Sequence, residues 1–227
     1  GAVDWGKDWV GKFSLVSLSL RAIYIQPTLS FKLTENFSVG GGFVYNIGTV
    51  DLENSVPVFY PDGHAGLATL KGTGTGTGYN VGIHYNLEDE FAISVSYRSK
   101  VVTKLKNGDA TFDVPESVAS NFPAGNKFSA ELPLPSTFAA GIAFPISEKL
   151  KMALDATLIN YDIYKALDFD YKENTPVLQD THSPKKYDKA GSIKAGLEYI
   201  ASDCLQLRIG GGVIATPVQQ SAYVYPE

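Results

Sequence analysis

Apolar and polar residues alternate along six segments of the chain, with the apolar residues at every second position. A β-strand points successive side chains to opposite faces of its sheet, so this period of two predicts six strands. They run from Phe37 to Tyr45, Tyr79 to Leu87, Phe91 to Tyr97, Leu150 to Leu158, Ile193 to Tyr199 and Leu205 to Val213. Two further strands, Ala22 to Lys32 and Leu132 to Phe144, bring the number to eight. Both contain prolines, which donate no ladder hydrogen bond, so they predict strand starts, bulges or unpaired stretches.

Charged residues are confined to the positions between the apolar ones. On a lipid-facing surface a Lys or Arg costs about 2–4 kcal/mol near the bilayer centre, against a total stability of about 5–15 kcal/mol. The segregation therefore favours strands whose uncharged face contacts lipid and whose other face lines a pore. The predicted pore-facing charges are Arg98, Lys100, Lys151, Asp155, Lys194, Glu198 and Arg208. Because both signs occur among them, we expect them to pair with one another.

A soluble sandwich or lipocalin would show the same alternation with its apolar face turned inward. The connections favour a membrane barrel, because short and long ones alternate along the chain and so lie at opposite rims of an up-and-down sheet. The predicted short turns are Thr34 to Asn36, Glu88 to Glu90, Ser147 to Lys149 and Ser202 to Cys204. The predicted long loops are Gly48 to Gly78, Lys106 to Lys127 and Phe169 to Asp188.

Aromatic residues gather near the short turns, as in the girdle of a membrane interface. They are Phe31, Phe37, Tyr85, Phe91, Phe144 and Tyr199. The general preference of strands for aromatic residues is the alternative explanation.

Composition excludes several classes of function. The net charge is -5 and no basic stripe is present, so a nucleic acid is not an expected partner. Cys204 is the only cysteine and lies in a predicted turn, where it fits a small residue better than a nucleophile. No run approaches the ~20 apolar residues of a membrane helix, so a membrane-spanning chain of this kind would use strands.

The sequence contains no complete motif for phosphate binding or metal binding. The glycine-threonine run from Gly72 to Gly78 lacks the Lys-Ser/Thr ending of a phosphate-binding loop and leads into a strand, so we interpret it as a hinge. His64, His84 and His182 have no metal-ligand spacing. The sequence thus predicts no enzyme, no metal site and no cofactor.

The order of strands and loops resembles the FadL family, also called OMPP1/TodX. The similar stretches are Trp5 to Phe13, Ile25 to Lys32, Phe37 to Gly42, Gly76 to Tyr85, Val95 to Val101, Glu131 to Thr137 and Leu207 to Val213, the last followed by Pro217-Val218. Each is weak alone, but their order covers nearly the whole chain.

The resemblance implies an all-β, antiparallel up-and-down transmembrane barrel in the bacterial outer membrane. Family members have fourteen strands, an N-terminal hatch and a lateral exit formed by a kinked strand. The chain opens at Gly1 without a signal peptide and stops at Tyr225-Pro226-Glu227, so we expect a single incomplete barrel domain that lacks the hatch and the last strands. A closed barrel of eight strands is the alternative.

The resemblance also implies a function: passive transport of long-chain fatty acids or aromatic hydrocarbons, captured on extracellular loops and passed through a monomeric barrel that contacts outer-membrane lipid. The residues predicted to bind substrate are Val58, Phe59, Tyr60, Leu67, Leu70, Lys185 and Lys186, with Val56 beside them. The loop residues could equally pack the loop against itself. Relatives can supply an arginine where this chain has Asp51 to Asn54, which counts against a fatty acid. A structural or adhesive barrel and a soluble lipid-binding β-protein are the alternatives.

Overall fold

The structure, a computed structural model, describes residues 1–87 and 90–218. It contains fourteen strand segments and two short 3-10 helices, Glu116–Asn121 and Tyr161–Ile163. The strands are β1 (Ala2–Asp4), β2 (Ser17–Ile25), β3 (Thr28–Lys32), β4 (Phe37–Phe59), β5 (Ala65–Leu87), β6 (Phe91–Arg98), β7 (Val101–Asp113), β8 (Asn126–Leu134), β9 (Thr137–Ser147), β10 (Leu150–Ile159), β11 (Ala166–Tyr171), β12 (Thr181–Pro184), β13 (Ala190–Ser202) and β14 (Leu205–Ile214). Neither of the described helices is long and apolar enough to cross a membrane.

Apart from the short β1, these segments are eight long strands, as the sequence predicted. Five of the eight are interrupted, and each gives a pair of segments: β2–β3, β6–β7, β8–β9, β10–β11 and β12–β13. Every strand pairs antiparallel with its neighbours along the chain. Within residues 1–87 and 90–218, the first and last long strands do not pair with each other, so the sheet is open. The closed eight-stranded barrel is therefore not what the chain forms.

The short turns lie at one end of the sheet, as predicted, although Glu88 and Asp89 fall outside the described residues. At the other end the strands are longer than the alternation indicated. Most of 48–78 is strand, because β4 continues to Phe59 and β5 begins at Ala65. Likewise β7 and β8 reach into 106–127, and β12 lies within 169–188. The three predicted loops are therefore corrected to shorter connections between extended strands.

All five interruptions lie at the same height of the sheet, and we call this height the break line. The interruptions are Gln26-Pro27, Ser99-Lys100, Pro135-Ser136, 160–165 and 185–189. Polar side chains form hydrogen bonds at the break line. The Ser99 hydroxyl accepts a hydrogen bond from the Tyr79 amide (2.9 Å), and the Asn160 amide group donates one to the Ser136 hydroxyl (2.8 Å). We call the sheet on the short-turn side the lower tier and the rest the upper tier.

In the lower tier, the registers place the apolar positions of all strands on one face. Val39 pairs with Ile83, Ile83 with Val95, and the same face continues across β9, β10, β13 and β14. This apolar belt includes the six aromatic residues near the short turns. Many of its large side chains are exposed, among them Ile193 (69%) and Val213 (76%). Such a surface is suited to lipid and not to water.

In the upper tier the facing is reversed. The continuous strands β4 and β5 show this directly, because the side opposite the belt now carries Val50 and Leu70, which are buried in the hydrophobic core. On the belt side, β4 and β5 carry charges that pair with each other, Asp51 with Lys71 at 3.0 Å. The adjacent strands do the same, since Lys104 of β7 pairs with Glu131 of β8 at 2.9 Å. The upper tier thus resembles a water-soluble β-structure, with apolar residues inside and charges outside.

The break line allows β6–β7 and β8–β9 to make this reversal. The apolar residues of β8–β9 keep even-numbered positions, and those of β6–β7 keep odd-numbered positions from Phe91 to Leu105. Even so, Tyr97 lies in the exposed belt, whereas Val101 and Leu105 are buried. A strand that ran on without interruption could not turn the same parity to the other face. The interruption at Ser99-Lys100, opposite the one at Pro135-Ser136, therefore reverses which face the parity occupies.

The facing of the lower tier predicts a sharp contrast between two adjacent residues of β5. In the complete protein folded into phospholipid vesicles, Ile83→Lys should lower the free energy of unfolding by about 2–4 kcal/mol, because it places a cation in the middle of the belt. His84→Lys, on the opposite face, is the matched control and should cost less than about 1 kcal/mol. Urea titrations measure both, and equal costs would contradict the assigned facing.

Candidate functional site

The upper tier encloses an apolar cavity of about 240 Å³, which we call the upper cavity. Strands β2, β4, β7, β8 and β11 supply its walls, and the chain between β10 and β13 closes one side. Its lining residues include Leu18, Leu20, Val50, Leu52, Leu105, Leu132, Tyr164, Leu167, Phe169, Lys185 and Tyr187. A concave, mostly apolar chamber with a few polar groups is the usual form of a site for small hydrophobic ligands.

Lys185 is the cation among these lining residues. Its ammonium group donates a hydrogen bond to the Ser183 hydroxyl at 3.2 Å, and no carboxylate of the described residues lies within 4 Å of it. The rings of Tyr164 and Tyr187 lie 5.6 Å apart beside it. Burial raises the pKa of Tyr164 to about 12, so its hydroxyl stays protonated and can donate a hydrogen bond. The cavity can therefore hold an apolar body and, at one place, a polar or acidic head.

A buried polar contact closes the cavity on the side of the break line. The Thr103 hydroxyl of β7 donates to the Asn46 side-chain oxygen of β4 at 2.6 Å, and neither residue is exposed. The Asn46 amide in turn donates to the Ile23 carbonyl at 3.2 Å. Because both side chains are bonded and buried, they fix β7 against β4 and are not free to bind a ligand.

Glycines on the inner face of β5 let β7 approach this closely. A Cβ added to Gly74 would lie 2.5 Å from the Lys104 carbonyl oxygen, and one added to Gly76 would lie 2.6 Å from the Val102 carbonyl oxygen. Gly48 of β4 leaves similar room for the Thr103 methyl group. The run from Gly72 to Gly78 is therefore not a hinge: it is part of a continuous strand on which β7 rests.

The inner face of the lower tier is polar. Six charged side chains share it, since their strands pair in register with the inner face of β5: Arg98, Lys151, Asp155, Lys194, Glu198 and Arg208. Of these, Arg208 and Glu198 form an ion pair at 2.6 Å. Lys100 does not belong to the set, because the interruption at Ser99-Lys100 places it on the exposed side of the upper tier with Lys104.

An exposed aromatic patch lies at the far end of the upper tier, and we call it the tip patch. Phe59, at the end of β4, meets Phe13 edge-on with ring centroids 6.4 Å apart. Trp5 stacks obliquely on Trp9 at 5.5 Å, and Trp5, Phe13 and Phe59 are each more than 40% exposed. Exposed apolar groups clustered in this way indicate a surface that contacts something other than water.

The seven residues predicted to bind substrate do not form one site. Phe59 belongs to the tip patch, and Tyr60 stacks on His64 at 4.1 Å beside it. Val58 and Leu67 are half-buried in the same hairpin. Leu70 is a buried core residue, so it cannot capture a ligand at the surface. Lys185 lines the upper cavity, whereas its neighbour Lys186 is exposed and does not.

Most residues of the upper cavity lie outside the positions predicted to bind substrate. Leu18 and Leu20 alternate with polar residues, as do Val50 and Leu52, so a period of two was present in both places. Their side chains lie on the face of the sheet opposite the apolar belt. A prediction that gives each strand a single lipid-facing side therefore does not identify them.

No group of His, Cys, Asp or Glu in the described ranges could hold a metal ion. Cys204 lies in the turn between β13 and β14, as predicted, and is exposed.

Residues 2–223 match the family model described as outer membrane protein transport protein (OMPP1/FadL/TodX). A Neisseria meningitidis serogroup B protein, named as an outer membrane protein, is 24% identical over 176 residues, which are 71% of this chain and 37% of that protein.

Solved structures show the same fold. A Pseudomonas aeruginosa FadL homologue superposes with a TM-score of 0.78 at 19% identity, over 96% of this chain and 55% of that one. The Ralstonia pickettii toluene transporter TbuX gives 0.66 at 15% identity, over 88% and 57%. The Pseudomonas putida toluene transporter TodX gives 0.63 at 14%, over 95% and 63%. The chain thus spans between 55% and 63% of these three structures.

Because the β7 backbone packs directly against Gly74 and Gly76 of β5, we expect a side chain at either position to disturb this contact. Gly76→Val should destabilise the complete protein by about 1–3 kcal/mol, because the new side chain overlaps the β7 backbone. Thr77→Val is the control, since Thr77 is exposed on the other face of β5. Urea unfolding in vesicles measures the difference, and a Gly76→Val protein as stable as Thr77→Val would contradict the close packing.

Proposed function

The chain belongs to the OMPP1/FadL/TodX family of outer membrane transport proteins, and on this premise we propose that it forms part of a passive channel for small hydrophobic molecules. The soluble lipid-binding alternative is set aside, because the chain is an outer-membrane protein with an exposed apolar belt. The chain spans less than two thirds of the structures that it resembles, so the transport activity and substrates of the whole protein are part of the proposal.

The upper cavity is the observation that carries the proposal. A channel that passes polar solutes needs no enclosed apolar chamber, whereas a hydrophobic molecule gains about 25 cal/mol for each Å² of apolar surface that it moves out of water. The cavity lies between the tip patch and the polar inner face of the lower tier. A greasy molecule that leaves water would therefore meet apolar surface first and a polar lining later.

The proposed path of the substrate runs from the tip patch, through the upper cavity, to the short-turn end of the sheet. The tip patch around Phe59 makes the first contact with substrate on the extracellular side. The upper cavity then holds the apolar body, with Lys185 at the position of a polar head. From there the molecule passes the polar inner face of the lower tier by diffusion, with Arg98 and the other inner charges beside its path.

Neutral aromatic hydrocarbons and long-chain fatty acids both remain within the proposal. The acidic residues that counted against a fatty acid do not enter the cavity, because the Asp51 carboxylate pairs with Lys71 on the outer face of the upper tier. Lys185 favours an acid, since a cation–carboxylate hydrogen bond is about twice as strong as a neutral one. Toluene transport is a property of the relatives TbuX and TodX.

An adhesive role is the second candidate, and the exposed tip patch is the observation that favours it. A barrel that only bound a partner surface would need that patch and would not need the upper cavity. Uptake experiments on the complete protein separate the two candidates.

Filling the upper cavity should block transport. Leu20→Trp replaces an aliphatic side chain with a larger indole ring inside the cavity. It should lower the flux of both toluene and a fatty acid into proteoliposomes at least fivefold. Leu29→Trp is the matched control, because Leu29 is 71% exposed on the belt. If the complete protein carries neither compound, the transport function is wrong. If Leu20→Trp leaves the flux unchanged, the cavity is not on the path.

Lys185 should discriminate acids from hydrocarbons. A hydrogen bond to a charged group contributes about 1.5–3 kcal/mol, so Lys185→Gln should weaken binding of a fluorescent fatty acid roughly tenfold or more. Toluene flux should not change, because toluene offers no charge. Lys186→Gln removes the exposed neighbouring charge and serves as control. Equal effects of the two substitutions would show that only the overall charge of the segment matters.

A further inference from the structure

The wall of the upper tier contains a gap that the strand registers define. Strands β9 and β10 pair without a break up to Thr137 and Ile159. Pairing between β8 and β11 resumes only at Ser129 and Asp170. Between these points, residues 130–136 face residues 160–169 with no ladder pair in the register. We call this gap the wall window.

Local sequence explains why the ladder stops there. Pro133 and Pro135 have no backbone N–H to donate across the gap. On the other side, the chain leaves the strand conformation for the 3-10 turn Tyr161–Ile163. The lower edge of the window is closed by Asn160, whose backbone N–H donates to the Ser136 carbonyl at 3.0 Å.

The window separates the upper cavity from the outer surface by little more than one layer of side chains. A surface depression of about 820 Å³ lies outside it, and the upper cavity lies inside. Leu105 and Ala130 line both spaces, which places the two within reach of each other. On the window side of Ala130 no ladder pair joins β8 to residues 160–169, so side-chain motion there would connect the two spaces.

Lysines border the window on the outside. Lys100, Lys104, Lys106 and Lys165 all line the outer depression, and all four are exposed. Lys104 pairs with Glu131, and Asp168 of the same depression pairs with His182 at 2.7 Å. Within residues 1–87 and 90–218, Lys100, Lys106 and Lys165 have no carboxylate within 4 Å. Asp170 also lines the depression, so these three cations outnumber the carboxylate that could oppose an anion at the window.

We propose that the wall window is a side entrance through which amphipathic carboxylates reach the upper cavity. The outer lysines hold the acid head while the apolar tail passes Ala130, at the edge of the window, into the chamber, where Lys185 receives the head. Because the window lies beyond the apolar belt, it opens to water and the lipid headgroup layer and not to hydrocarbon. This inference rests on the proposed transport function. It keeps the path from the tip patch for neutral compounds and assigns amphipathic carboxylates an entry through the window instead.

A removable plug tests the proposal in the complete protein. Glu131, exposed at the edge of the window, is changed to Cys in a Cys204→Ser background and labelled with a bulky methanethiosulfonate reagent. Wild-type protein labelled at Cys204, in the turn at the opposite end of the sheet, is the matched control. Fatty acid and toluene flux into proteoliposomes are measured before labelling, after labelling and after removal of the label with dithiothreitol.

The label on Glu131→Cys should lower fatty acid flux at least fivefold, and dithiothreitol should restore it, while the Cys204 label changes nothing. Full fatty acid flux through the labelled Glu131→Cys protein would overturn the side entrance but leave transport standing. No flux of either compound through the unlabelled proteins would overturn transport itself, and the entrance with it.

A second variant tests the lysines without a plug. Substitution of Lys100, Lys106 and Lys165 together by Gln should raise the fatty acid concentration needed for half-maximal flux several-fold and leave toluene flux unchanged. Lys71→Gln, on the outer face of β5 away from the window, controls for the loss of an outer-face lysine. An unchanged concentration dependence in the triple variant would contradict a role for these cations.

Discussion

The alternation of side chains along a strand is the constraint on which this structure depends. A strand that crosses a membrane must turn its apolar positions to lipid, and the same strand beyond the membrane must turn them to the protein interior. In β4 and β5 the sequence meets this demand by changing which parity is apolar. In β6–β7 and β8–β9 the parity stays the same and the backbone changes instead, at Ser99-Lys100 and Pro135-Ser136.

The reversal also creates the space that the proposed function needs. Above the break line the apolar faces converge on the upper cavity, and below it the inner face is polar. Strand β7 can bend across β5 only because Gly74 and Gly76 present no side chain to its carbonyl groups. Pro135, in the interruption of β8–β9, and Pro133, near the end of β8, donate no backbone hydrogen bond at the wall window. Features that look like irregularities in the sheet thus define the proposed path of the substrate.

The sequence predicted the lower tier well and the upper tier poorly, for a physical reason. The strict alternation from Phe91 to Tyr97 has one facing, so the register confirmed it without change. Lys100 lies two residues after Arg98, so an uninterrupted strand would place both side chains on the pore-facing side. A two-residue interruption leaves a period-two pattern unchanged, so the sequence does not reveal the change of facing at Ser99-Lys100. The upper cavity also brings together distant residues such as Leu20 and Lys185, whose proximity depends on pairing registers that no local pattern contains.

Site-directed spin labelling along 91–105 of the complete protein in lipid bilayers tests the reversal of facing most directly. We expect labels at Ile93, Val95 and Tyr97 to be accessible to oxygen dissolved in the bilayer. Beyond Ser99 the odd positions should lose that access, and labels at the even positions 102 and 104 should be reached by a water-soluble nickel chelate. Oxygen access that continued at odd positions through Leu105 would contradict the reversal, and with it the cavity and its proposed role.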